Sequence, residues 1–146
     1  MEKLLKKLEE YIFDHSVVCF SYDASASYDE LDFNEFLEKP FNEVLLSFID
    51  KKNMKDVDVY KKANIDRRHF SKMRSPDYHP SKNTIIKFVF ALKLNIKECN
   101  ALMDSAGYAL TNSNLRDIII MFFIENKKYD LDVINEVLEK YNLEYL

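Results

Sequence analysis

The side chains of this protein whose types and spacing best suit chemistry fall in one stretch, Lys55 to Ser75, with the sequence KDVDVYKKANIDRRHFSKMRS. At helical spacing Phe70 and Met73 share a face, and Arg67, Arg68, Ser71, Lys72 and Arg74 cover the rest of the same turns. Two apolar anchors beneath a cationic outer surface suit a helix that lies against a polyanion. Against a DNA duplex, Arg67 or Arg68 can donate two hydrogen bonds to the O6 and N7 of guanine, a pair that contributes about 1–3 kcal/mol of discrimination. Lys55, Lys72, Arg74 and Lys82 can fix position on phosphates without reading sequence. The plain alternative is a solvated surface helix whose cations keep the protein in solution.

Two short helices must position these groups. Asp56 is placed to cap the first, and Val59 and Ala63 give it an apolar face. Asn64 stands where the chain reverses, and Asn is among the few non-glycine types that tolerate a left-handed backbone. Ile65 follows as an apolar plug, and Asp66 can cap the second helix. This is the pattern of a helix-turn-helix.

Composition sets the frame around that stretch. With 146 residues the chain forms one domain, or one domain with an appendage. One Gly, three Pro and no Trp favour helices over a turn-rich β-sandwich, and eleven Phe with nine Tyr predict an aromatic core or an adhesive face. The net charge of −4 hides an asymmetry: thirteen Lys and Arg against four Asp in residues 51–97, but four cations against twelve acids in 1–50 and four against nine in 98–146. Acidic ends repel phosphate, so indiscriminate polyanion binding is excluded while binding through one face is not. MEKLLKKLEE lacks the apolar core of a signal peptide and no run approaches a bilayer span, which predicts a cytoplasmic protein without membrane association.

The chain divides into three parts. Residues 1–39 comprise an amphipathic helix, Met1 to Phe13, and an acidic linker. The helix stripe Leu4, Leu5, Leu8, Tyr11 and Ile12 docks on the domain or on a second copy of the chain. In the linker SVVCFSY is compatible with a short strand, and Phe33, Phe36 and Leu37 with one helical turn; an acidic, aromatic-dotted segment can also shield a basic face as a tethered mimic of DNA. Residues 40–110 form the compact domain. Pro40 opens its first helix at the first position, with Phe41, Val44, Leu45, Phe48 and Ile49 inward. The loop SPDYHP follows the helix pair, Ser81 caps a helix with Ile85, Ile86, Val89 and Leu92 inward, and the next helix, after a turn at Asn95, stops at Gly107. Residues 111–146 form a helical extension packed on the domain: Ser113 or Asn114 caps LRDIIIMFFIEN, and Asp130 caps LDVINEVLEKYN.

From Phe41 to Met103 this chain resembles the phage-repressor class of helix-turn-helix domains, the XRE-type bundle of Cro and the lambda-type repressors. VYKKANIDRRHFSKMRS and PSKNTIIKFVFALKLNIKECNALM carry the likeness, the second through Pro80, Ser81, Ile85, Ile86, Ala91, Leu92, Leu94 and Ile96. The resemblance implies an all-α, lambda-repressor-like five-helix bundle, here with an N-terminal helix and linker and two extra C-terminal helices. It implies a sequence-specific DNA-binding protein, a transcriptional regulator of bacterial or phage origin. The family's base-contacting positions fall on Arg67, Arg68, Ser71 and Lys72, and its phosphate-contacting positions on Lys55, Lys82 and Asn83. Two departures stand out: Tyr60 where a small residue is usual, which demands room between the two helices, and Asn64 where a glycine is usual. A single module buries only roughly 600–1,000 Å² on DNA, so a homodimer on a two-part site is expected, with the N-terminal and tail helices as its surfaces.

Catalysis, a metal and a cofactor are not expected. His15, His69 and His79 lie in separate segments without an HExxH pattern, one glycine cannot build a phosphate loop, and Cys19 and Cys99 have no neighbouring base. The rival function is an adaptor of phage or phage-defence systems, which uses the basic helix to grip an acidic protein partner.

Overall fold

Eight α-helices and no strand make up the described residues, 1–17 and 39–146, of the computed structural model. They are α1 (Glu2–Val17), α2 (Phe41–Lys51), α3 (Asp56–Lys62), α4 (Arg67–Met73), α5 (Lys82–Ala91), α6 (Ile96–Ser105), α7 (Leu115–Glu125) and α8 (Leu131–Lys140). Ser16 and Val17, which open the stretch compatible with a short strand, instead continue α1. Residues 18–38, on which the expected helical turn, the expected shielding role and Cys19 fall, lie outside the described residues.

The helix starts follow local chemistry. Asp66 accepts the Arg68 N–H at 3.2 Å, Ser81 that of Thr84 at 3.2 Å, and Asp130 that of Asp132 at 3.0 Å. Asn114, and not Ser113, caps α7 by accepting the Arg116 and Asp117 N–H groups. Asn95 and Glu98 form a reciprocal capping box on α6, with side chain to backbone distances of 2.8 and 3.2 Å. Two starts differ from expectation. Pro40 stands one residue before the first helical position, as the N-cap of α2. Lys55 is the N-cap of α3 without a side-chain bond, whereas Asp56 lies inside the first turn and spends its carboxylate on Arg74.

A common device ends six of the helices. After each C-cap comes one left-handed residue: Asn53, Asn64, Lys93, Lys127 and Asn142 with φ from 53° to 56°, and Gly107 with φ 80°. The next N–H then reaches back five residues, as from Met54 to Ile49 (3.2 Å), Ile65 to Tyr60 (2.9 Å), Leu94 to Val89 (3.0 Å), Tyr108 to Met103 (2.9 Å), Lys128 to Phe123 (2.9 Å) and Leu143 to Leu138 (2.9 Å). This is the Schellman pattern, which satisfies carbonyls orphaned by the helix end and, in all but one case, adds an apolar contact. Asn serves at three of these positions, but Lys93 and Lys127 bear a left-handed backbone that costs a side-chain-bearing residue about 1–2 kcal/mol. Lys93→Gly and Lys127→Gly are each expected to raise the unfolding free energy by about 0.5–1 kcal/mol, read as a higher urea midpoint at unchanged slope. An unchanged or lower midpoint would show that these ends are not strained.

One continuous core runs through the described helices, and α7, like α5, buries most of its residues. Ile118, Ile119, Ile120, Phe122, Phe123 and Ile124 are all buried, so nearly every side of this helix meets protein. α1 covers α7 from within the same chain: Leu8 is fully buried, Leu4, Leu5, Tyr11 and Ile12 pack beside it, and the Tyr11 ring meets Phe122 edge-on at 5.5 Å. The N-terminal stripe therefore docks on its own domain. Among the described residues no helix is long and apolar enough to cross a membrane.

Candidate nucleic-acid interface

α4 is anchored on one side and open on the other. Phe70 and Met73 are buried, the Phe70 ring lying 5.5 Å from Tyr60 and 6.0 Å from Phe88. Tyr60 is half-buried and tilted by 43° against Phe70, so the bulk at this position is taken up as an aromatic contact in the gap between α3 and α4. On the other side Arg67, Arg68, Ser71 and Lys72 are all exposed, and among the described residues none of their cations is in an ion pair.

Both ends of α4 are held. Asp66 caps its start. At its end the Arg74 guanidinium stands over the Phe70 ring, 5.6 Å from the centroid, and pairs with Asp56. Asn42 of α2 donates to the Arg74 carbonyl at 3.0 Å, and His69 shares a hydrogen bond with the Tyr78 hydroxyl of the following loop. These ties fix the direction in which the exposed face points.

The phosphate-contacting candidates fare differently from the base-contacting ones. Lys55 is exposed at the start of α3. Arg74 is engaged by Asp56, Lys82 Nζ lies 2.8 Å from the Asp117 carboxylate, and Asn83 donates to Glu144 at 3.3 Å. Asp117 is only 2% exposed and also accepts the Thr111 N–H at 3.0 Å. The fold thus brings Arg67, Arg68, Ser71 and Lys72 together on one open face, while the chain's own acids occupy three of the four phosphate candidates. Sequence reasoning missed these acids because they lie 18, 35 and 61 residues from their partners. One signal was present: an acid inside the apolar run LRDIIIMFFIEN must be buried and therefore needs a cation.

Other features of the surface have simpler accounts. A cleft of about 580 Å³ is lined by Lys61, Lys62, Lys93 and Lys127 opposite Asp130 and Asp132. α3, α5 and α7 all end at this cleft, and helix C-termini favour cations, so the lysines are explained by the three helix dipoles. Cys99 is fully buried, and burial, followed by the nearby Asp117 and Asp104, pushes its thiol up to about 12, which leaves no thiolate for chemistry near neutrality. His79 stacks on Tyr108 with ring centroids 6.4 Å apart.

No family model matches this chain, and neither a curated protein nor a solved structure matches it.

Proposed function

We propose that this all-helical protein binds DNA sequence-specifically through a lambda-repressor-like helix-turn-helix formed by α3 and α4, and acts as a transcriptional regulator. The observation that carries this reading is the open face of α4. Four hydrogen-bonding side chains, three of them cationic, stand exposed over two buried anchors on a helix held at both ends. Such a face matches the donor and acceptor edges of a major groove. Homodimerisation on a two-part site belongs to the same proposal, although its contact must be sought away from α7, which is buried within the protomer.

The test is selection of bound duplexes from a random pool at moderate salt. Enrichment of one sequence, with retention that falls steeply as salt rises, is the expected result. Duplex held no better than by an unrelated acidic protein would sink the proposal.

A second reading has its own observation. Asp56 and Asp58 occupy the first turn of α3, and Arg74, Lys82 and Asn83 are bonded to internal acids. The cationic face is therefore a patch with acidic margins and not a continuous strip along a duplex backbone. A patch of that kind suits an acidic protein partner, and an adaptor would ignore every duplex in the pool.

A further inference from the structure

We infer that the C-terminal tail competes with DNA phosphate for the start of α5, through the carboxylate of Glu144. This rests on the DNA-binding reading above.

α5 begins directly after the loop that leaves α4, and its first turn offers what a phosphate seeks: a positive helix end, the Lys82 ammonium and the Asn83 amide. Both side chains already hold an oxyanion. Lys82 is paired with Asp117, and Asn83 with Glu144. A carboxylate and a phosphate make the same demand on these donors, so the two compete.

The two internal contacts are not equally replaceable. Asp117 is buried and bonded twice, to Lys82 and to the Thr111 N–H, so that pair stays closed. The contact between Asn83 and Glu144 is exposed, at 3.3 Å, and joins a neutral amide to a surface carboxylate. Water competes freely for such a bond, and it holds little free energy.

Glu144 is placed there by its neighbours. Arg116 donates through Nε to the Glu144 carbonyl at 3.0 Å and through Nη2 to the Tyr145 carbonyl at 3.4 Å. The Leu146 N–H donates to Asn135 at 2.8 Å, and the Asn135 amide returns a bond to the Leu146 carbonyl at 3.5 Å. The tail is thus tied across α7 and α8, with its one acid projecting toward α5. A duplex on α4 whose backbone reached the start of α5 would meet that negative charge there, and the charge would have to move aside before Asn83 is available.

The experiment compares wild type, Glu144→Gln and Glu136→Gln on the duplex recovered from the random pool. Glu136 is an exposed acid of α8 and controls for the loss of one negative charge anywhere on the protein. Glu144→Gln is expected to tighten binding by about three- to tenfold at low salt, more than the control, with the advantage shrinking as salt rises. Equal affinities for the two variants would overturn the competition while leaving the DNA reading intact. No duplex bound by any of the three proteins would overturn both.

Discussion

Asp117→Ala is expected to lower the unfolding free energy by about 2–3 kcal/mol, the largest stability loss among the polar positions considered. Removing one member of a buried ion pair commonly costs about 3–5 kcal/mol, because the other charge is left without a partner. Here the Lys82 side chain keeps 28% of its exposure and can turn to water, which places the loss below that range. The missing carboxylate also abandons the Thr111 N–H and removes an acid from the first turn of α7, where the helix dipole favours it. Denaturant unfolding measures the change. Asp117→Asn, which keeps an acceptor, should recover part of it, and a loss below about 0.5 kcal/mol for the alanine variant would show that the bridge contributes nothing.

Arg67→Ala/Arg68→Ala should erase sequence preference without unfolding the protein. If one of the two arginines bonds a guanine bidentately, its loss costs about 1–3 kcal/mol of discrimination, or roughly five- to over a hundredfold in preference. Both side chains are exposed, and the Asp66 cap uses the backbone N–H of Arg68, so the helix survives the change. Lys72→Ala provides the contrast. If Lys72 serves a phosphate, binding weakens uniformly across sequences and the salt slope falls by about one; if it reads a base, preference changes at one position. Enrichment of the same sequence by the double variant would remove Arg67 and Arg68 from the reading face.

The residues most legible in the sequence were those whose partners lie within a turn of them. Asp66, Ser81, Asn114 and Asp130 cap the helices that follow them, and Asn64 and Gly107 take the left-handed conformations their chemistry permits. The apolar stripes of α2, α5 and α8 also face inward as their spacing requires. Lys93 and Lys127 were not legible as left-handed positions, because nothing in a lysine favours that backbone. There the Schellman geometry and the packing of the residues around it override local preference.

By itself the sequence determined that the described residues are helical, where most of their helices begin and end, and that Phe70 and Met73 turn Arg67, Arg68, Ser71 and Lys72 to the opposite side of α4. Those outcomes depend on contacts between near neighbours, whose geometry a helix repeats wherever it forms. Tertiary structure alone decided that α1 lies on α7, that Asp56 goes to Arg74, and that Asp117 and Glu144 reach Lys82 and Asn83. A charge or an apolar stripe accepts any complementary group the fold brings near, and only the packing of distant helices selects which one arrives.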